Sequence, residues 1–191
     1  MLLLFYFSLD INQMVLFTKS FLVNCESDLF FIQLQDSFPE YIKHYQKKII
    51  DEYKIIEKKD NKIVVNIKKD NVLQFIPKSF VSLVSKQFID SVTSWKELQE
   101  FDNELKTITW TSSPIDNHAK IYNLFGKTTF SLENENSCKV TLSFEFHFLP
   151  EASHSQMQRI IFGMLEKQIP YIIFYQIKNL YVSFANHQKS L

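Results

Sequence analysis

Residues 137–149 alternate between apolar and polar side chains, and this alternation constrains the fold more than any other feature of the chain. The apolar positions are Val140, Leu142, Phe144, Phe146 and Phe148. The polar positions between them are Thr141, Ser143, Glu145 and His147. Because successive side chains of a strand point to opposite faces, a period of two predicts a long strand with one packed face and one face toward water.

Six further segments have strand character. A polar turn joins the strand at 137–149 to a second long strand predicted over residues 119–132. Five earlier segments are predicted as strands, at residues 15–23, 49–59, 62–70, 87–100 and 104–113. Seven alternating strands with helices at fixed points indicate an antiparallel α+β domain.

Two short helices are predicted directly after the first strand. Asn24 is a good N-cap for the segment ESDLFFIQLQ, which places acids in its first turn. Ser37 and Glu40 have the spacing of a capping box, and this predicts a second helix to about Tyr45. Both helices therefore precede the second predicted strand.

A long helix is predicted at the end of the chain. Ser153 and Gln156 form a capping box, and the apolar pattern continues to about Asn186. The apolar stripe is Ile161, Met164, Leu165, Ile169, Ile172, Ile177, Leu180 and Phe184. Pro170 falls inside this helix and removes a hydrogen bond to the Glu166 carbonyl, so we expect a kink there.

The chain reads as one domain. Its 191 residues suit a single core, and no repeat, linker or low-complexity segment divides them. We assign residues 14–187 to the domain and residues 1–13 to an N-terminal extension. The apolar run at the start is about eight residues long, shorter than the roughly 20 that a membrane-spanning helix needs, and it lacks the flanks of a signal peptide. An intracellular, cytoplasmic protein is expected, with peripheral membrane contact left open.

Composition argues against several classes of function. Lys plus Arg and Asp plus Glu both total 21, and Arg159 is the one arginine, which disfavours binding to nucleic acid. Two glycines disfavour a phosphate-binding loop. Cys25, Cys138 and the five histidines show no metal-ligand spacing. We therefore expect no metal, no cofactor and no catalytic motif.

The order of strand, two short helices, antiparallel strands and one long helix resembles the START-like superfamily, also called the helix-grip fold. The segment IPKSFVSLVSKQFIDSVTSW, followed by ITWTSS, resembles PRELI-type phospholipid carriers. The segment SFLVNCESDLFFIQLQDSFPEYIKHY is similar to the opening of coenzyme Q-binding and polyketide-cyclase-like members. The resemblance implies a curved sheet that wraps around a kinked C-terminal helix and holds a lipid or another apolar small molecule against it. We expect the protein to be a monomer.

Candidate site residues follow from that expectation. The predicted cavity wall comprises Trp95, Trp110, Leu124, Phe144, Phe146, Met164, Gln168 and Ile172. Gln168 and Gln176 could orient the head group of a ligand. A lid or gate is assigned to Pro77, Phe80 and Pro170, since release of the ligand requires local opening. The expected function is binding, and transfer in addition, of a hydrophobic ligand.

Two other functions stay open at this point. The same fold with a filled core could be a docking module that uses the final helix or residues 47–69 as its surface. Residues 47–69 contain eight lysines and four acids, and this excess of positive charge could bind anionic lipid. A small hydrolase or cyclase could use a cavity residue such as His147, close to Glu145 on the same strand. The absence of a catalytic constellation favours a protein that is not an enzyme.

Overall fold

A computed structural model of the chain describes residues 16–45, 50–68, 86–115, 121–153 and 155–190. The described strands are β1 (Phe17–Val23), β2 (Glu52–Lys59), β3 (Lys62–Lys68), β4 (Ser94–Asp102), β5 (Thr107–Pro114), β6 (Tyr122–Asn134) and β7 (Ser137–Phe148). The described helices are α1 (Ser27–Asp36), α2 (Phe38–Tyr45), α3 (Lys86–Thr93), a 3-10 turn at Pro150–Ala152, and α4 (Gln156–Gln188). The elements form an α+β helix-grip fold, as predicted.

The seven strands form one antiparallel, curved sheet in the order β1-β7-β6-β5-β4-β3-β2. The predicted alternation of β7 is confirmed, since Val140, Leu142 and Phe144 are fully buried. On the other face, Thr141 and Ser143 share hydroxyl hydrogen bonds with Ser20 and Thr18 of β1 at 2.9 and 3.1 Å. These hydrogen bonds join β1 to β7. The chain then continues through α1 and α2 to β2, which lies at the opposite edge of the sheet.

The two short helices after β1 are confirmed, with one difference at the first cap. Glu26, not Asn24, caps α1: its carboxylate accepts hydrogen bonds from the backbone N–H groups of Asp28 and Leu29 at 2.9 and 2.7 Å. These bonds lower the pKa of Glu26 because they stabilise the charged carboxylate. Ser37 stands between α1 and α2, at the predicted junction.

The prediction of a strand over residues 87–100 is wrong in its first half. Residues up to Thr93 belong to α3, and β4 begins at Ser94. The hydroxyl of Thr93 donates to the Ile89 carbonyl, four residues back, at 2.9 Å. This bond gives the Thr93 hydroxyl an acceptor that apolar surroundings would not provide. The β-branched Thr93 can therefore occupy the last position of α3.

The long C-terminal helix is confirmed and continues through Pro170, which is buried. Ser155 caps its start, two residues beyond the predicted Ser153, by accepting from the Gln158 N–H at 3.1 Å. The Phe148 N–H donates to Glu166 Oε1 at 2.6 Å and ties the end of β7 to the helix. The kink at Pro170 stays a prediction.

The described residues form two hydrophobic clusters in the interior. The larger cluster joins the sheet to α1, α2 and the C-terminal half of α4, with Phe30, Phe31, Leu142 and Phe184 among its fully buried members. The smaller cluster surrounds the start of α4 and consists of Ile121, Tyr122, Phe148, Ile161, Phe162 and Leu165. Cys25 and Cys138 are buried free thiols, and burial raises the pKa of Cys138 to about 11.

The surface shows two features relevant to membrane contact. In the described part of residues 47–69, Lys58 pairs with Asp36 and Lys62 pairs with Glu100, so these charges meet acids of the protein. None of the helices in the described ranges is long and apolar enough to cross a bilayer. Docking through this segment stays a prediction.

Candidate ligand-binding cavity

A cavity of about 210 Å³ lies between the sheet and α4. The sheet contributes Tyr53, Ile67, Trp95, Glu97, Gln99, Ile108, Trp110, Ser112, Tyr122, Leu124, Thr128 and Phe146. Helix α4 contributes Leu165, Ile169, Ile172, Ile173, Gln176, Ile177, Leu180 and Tyr181. Phe38, Ile42 and Ile50 line the cavity from α2 and the segment before β2. Members of both core clusters therefore surround the same space.

The structure places five of the predicted site residues at the cavity wall. These are Trp95, Trp110, Leu124, Phe146 and Ile172. Phe144 lies on the same face of β7 but is fully buried against Trp110, with ring centroids 5.7 Å apart. Phe144 therefore packs against the wall residue Trp110 and does not itself line the cavity. Whether any of these side chains contacts a ligand stays a prediction.

Two predicted site residues lie elsewhere. Met164 is 46% exposed and Gln168 is exposed, and neither lines the cavity. They share the outer side of α4 with Met157, Ile160 and Tyr171. The other seven residues of the predicted apolar stripe are buried or line the cavity, so the stripe identifies the inward side of the helix and Met164 is its one exception. The inward glutamine is Gln176, eight residues further along the helix.

The predicted gate is described only in part. Pro77 and Phe80 lie outside the described residues. Pro170 is buried in the middle of α4, between the wall residues Ile169 and Ile172, but does not itself line the cavity. A role for these three residues in ligand release stays a prediction.

A carboxylic acid faces this mostly apolar space. Glu97 lies on β4, and its Oε1 accepts a hydrogen bond from Gln99 Nε2 at 2.6 Å. The Trp95 side chain is a second donor. Burial raises the pKa of Glu97 above its usual range, and these two hydrogen bonds offset only part of that effect. The side chain keeps some accessible surface because it faces the cavity and not the packed core.

Three tyrosines line the cavity around the same acid. Burial raises the pKa of Tyr122 to about 12, and burial followed by the charge of Glu97 raises the pKa of Tyr53 and Tyr181 further. The Tyr122 hydroxyl is 3.4 Å from Ser112 Oγ. All three tyrosines are therefore neutral hydroxyls at physiological pH.

Other polar groups of the wall are arranged for hydrogen bonding. Trp110 Nε1 donates to Thr128 Oγ1 at 3.2 Å, and the Tyr181 hydroxyl also bonds Thr128. Gln176 Nε2 is buried and has no hydrogen-bond partner among the described residues. A buried amide donor without a partner costs free energy, so this group is available for an acceptor on a ligand.

His147 does not lie at the cavity, contrary to the hydrolase or cyclase hypothesis. It is on the face of β7 opposite to Phe146, and its Nε2 is 2.9 Å from Asn123 Nδ2. The alternation of β7 explains this placement, because adjacent residues of a strand point to opposite faces. Within the described ranges, no group of three or more His, Cys, Asp or Glu could hold a metal ion.

Sequence reasoning missed Glu97 and the tyrosines. The alternation of β4 could have identified Glu97, because Glu97 and Gln99 follow Trp95 at intervals of two residues and lie on the same face of the strand. Likewise, Ser112 follows Trp110 on β5. An acid on an inward face contradicts the usual distribution of charge in a core, and such a position indicates a functional site.

Replacing Glu97 by glutamine is expected to stabilise the unliganded protein at neutral pH. Since the folded-state pKa is raised, the stability that this carboxyl contributes is fully present below the ordinary glutamate pKa and is lost as the pH rises through the raised value. One pKa unit corresponds to about 1.4 kcal/mol. Thermal unfolding from about pH 4 to pH 8 should show that the Glu97→Gln advantage grows with pH.

The matched control is Glu100→Gln, on the same strand but at the surface beside Lys62. Its melting temperature should differ from that of the wild type by no more than a surface substitution causes. If the melting temperatures of Glu97→Gln and the wild type differ by the same amount at every pH in this range, the pKa of Glu97 is not raised.

Comparison with solved structures shows the same fold in distant proteins. The Zhui aromatase/cyclase from Streptomyces sp. R1128 has a TM-score of 0.61 and 12% identity over 92% of this chain and 96% of its own. Norcoclaurine synthase from Thalictrum flavum has a TM-score of 0.58 and 14% identity over 90% of this chain and 86% of its own. Ara h 8.0201 has a TM-score of 0.55 and 13% identity over 92% of this chain and 99% of its own.

These neighbours establish the class of fold. They share the helix-grip architecture of START-like proteins, so that predicted resemblance is confirmed at the level of the fold, while the subfamily is left open. No protein-family model matches the sequence, and no curated protein matches it. At 11–14% identity, the likeness concerns the backbone, and the chemistry of the site must be argued from its own residues.

Proposed function

We propose that this protein binds a small hydrophobic ligand in the cavity between the sheet and α4. The observation that carries the proposal is an unfilled space of about 210 Å³ inside an otherwise close-packed core. Protein interiors leave few voids larger than a water molecule.

The composition of the wall supports an apolar ligand with a polar end. Aliphatic and aromatic side chains form most of the surface, and Glu97, Gln99 and Gln176 provide a few convergent polar groups. This combination is typical of small-molecule sites. Removing apolar ligand surface from water would supply about 25 cal/mol per Å² toward binding.

The size of the cavity favours a ligand smaller than a two-chain phospholipid. Sites for drug-sized molecules have volumes of about 300–1,000 Å³, and this cavity lies below that range. A single acyl chain or a small ring system matches it better. If the protein transfers such a lipid between membranes, release requires opening of the helix or of the segment near Pro77, as the sequence suggests.

The first test is whether the protein retains a ligand. Native mass spectrometry of purified full-length protein, followed by organic extraction, should reveal a bound apolar molecule or uptake of one from a mixed pool of fatty acids, amines and aromatic compounds. A consistently empty protein that takes up nothing would contradict the proposal and favour the docking module with a filled core.

A cavity-filling variant tests the location. Ile172→Trp should reduce uptake by at least about tenfold because the indole occupies the ligand's space. Ile160→Trp, on the outer side of the same helix at 59% exposure, should leave uptake unchanged. Thermal unfolding checks that both variants fold, and Leu124→Phe is a milder filling variant from the sheet side. Equal uptake by both tryptophan variants would place the ligand elsewhere.

A further inference from the structure

The cavity contains an acid without an opposite charge. Among the described residues that line it, Glu97 is the one ionisable carboxyl, and none is Lys, Arg or His. The two side chains that donate to Glu97, Gln99 and Trp95, are neutral. Buried charges in proteins are normally paired with a charge of opposite sign. The protein itself supplies no such partner within the described wall.

Aromatic rings are concentrated around the same space. The aromatic residues of the sheet and α4 that line the cavity are Tyr53, Trp95, Trp110, Tyr122, Phe146 and Tyr181. The charge of Glu97 acts on the hydroxyls of Tyr53, Tyr122 and Tyr181, so strands β2 and β6 and helix α4 all bring a ring near the acid. The faces of aromatic rings attract cations, most strongly where water is excluded.

We propose that the preferred ligand is a lipophilic amine, an apolar molecule with one protonated nitrogen placed against the Glu97 carboxylate and the surrounding aromatic rings. This inference rests on the proposed function, since it names the class of ligand for the same cavity. The ammonium group would supply the missing opposite charge and donate a charge-assisted hydrogen bond to the acid. The apolar part would occupy the space between the sheet and α4.

The chemistry of the wall discriminates against other head groups. A carboxylate ligand would place a second negative charge beside Glu97 in a medium that screens poorly. A neutral alcohol could accept a hydrogen bond from Gln176 or donate its O–H to an ionised Glu97, but it would bring no opposite charge to the carboxylate. A cationic head group is therefore the one that suits the ionised acid.

Binding of an amine should be linked to release of a proton. In the free protein, burial favours the protonated form of Glu97, whereas a bound ammonium favours the carboxylate. The titratable groups that face Glu97 are Tyr53 from β2, Tyr122 from β6 and Tyr181 from α4, and all three remain neutral near pH 7. The linkage can therefore be assigned to Glu97.

A series of ligands with one chain and three head groups tests the proposal. Octylamine, octanol and octanoate each have eight carbon atoms in one unbranched chain and differ in the charge of the head group. In titration calorimetry on the full chain near neutral pH, we expect octylamine to bind at least about tenfold more tightly than octanol, and octanoate to bind most weakly. Heats measured in buffers of different ionisation enthalpy, over a series of pH values, should show more proton release on binding octylamine than on binding octanol at pH values where Glu97 of the free protein is protonated.

Variants assign the preference to one residue. Glu97→Gln should remove the preference for octylamine, so that octylamine and octanol bind the variant within about threefold of each other. Glu100→Gln, on the same strand but outside the cavity, should preserve the wild-type order. If Glu97→Gln does not fold, the head-group order and the proton release in the wild-type protein still decide the question.

The outcomes separate this inference from the proposed function. Equal binding of octanol and octylamine, or tighter binding of octanoate, overturns the amine preference but retains a hydrophobic cavity. An octylamine preference that persists in Glu97→Gln also overturns the inference, because another group must then recognise the cation. If none of the three probes binds, both the cavity function and its ligand class fail.

Discussion

Replacing Phe184 by alanine is expected to lower the free energy of unfolding by about 3–5 kcal/mol. The side chain is fully buried near the end of α4. Its ring centroid lies 6.1, 5.2 and 5.1 Å from those of Phe30, Phe38 and Tyr41, which belong to α1 and α2. Alanine would leave a void at the point where three helices meet. Urea unfolding monitored by tryptophan fluorescence measures the loss.

Tyr175→Ala is the matched control for this prediction. It removes an aromatic side chain from the same helix at a position that is 50% exposed. We expect it to cost no more than about 1 kcal/mol. A loss below about 1 kcal/mol for Phe184→Ala would show that the end of α4 is not held by the larger core cluster.

Gly126→Ala is expected to destabilise the sheet by about 1–3 kcal/mol or more. A Cβ atom at this position of β6 would lie 2.5 Å from Phe144 Cβ, 2.6 Å from Trp110 Cζ2 and 2.9 Å from the Ser143 carbonyl oxygen. Two of these neighbours are backbone or near-backbone atoms that cannot rotate away. Since Trp110 lines the cavity, its displacement should also weaken ligand uptake.

The second glycine provides a control with the opposite sign. A Cβ at Gly163 in α4 would meet nothing within 4 Å. Gly163→Ala should therefore stabilise the protein by about 0.5–1 kcal/mol, because alanine loses less backbone entropy in a helix. Thermal unfolding of both variants checks the pair, and destabilisation by both or by neither would contradict the packing around Gly126.

The sheet and the long helix could be predicted because their signals are local. The strict alternation of apolar and polar residues in β7 predicts a strand with one packed face. A capping pattern followed by a long apolar segment predicts a helix. The boundary between α3 and β4 could not be predicted this way. Residues 87–93 contain the β-branched Ile89, Val92 and Thr93, which suit a strand, whereas their backbone is helical in the folded protein.

The cavity was predictable in outline and not in its polar chemistry. Trp95, Trp110 and Leu124 lie on inward faces whose parity the sequence shows. The inward side of α4 was also predictable, since seven of the eight residues in the predicted apolar stripe are buried or line the cavity and the exposed Met164 is the exception. The environment of Glu97 depends on Tyr53 and Tyr181, which come from distant segments and meet the acid only in the folded protein.

The pairing of the first strand with the last has a consequence for biosynthesis. Thr18 and Ser143 are separated by 125 residues, and β7 is the partner of β1 in the sheet. At about 5–20 residues per second, a ribosome needs roughly 6–25 s to make the intervening chain. During that interval Phe21 lacks the rings of Phe174 and Tyr181 in α4, which cover it in the folded protein. Such long-range closure also slows folding. Nascent chains of this protein should therefore depend on chaperones more than the completed protein does.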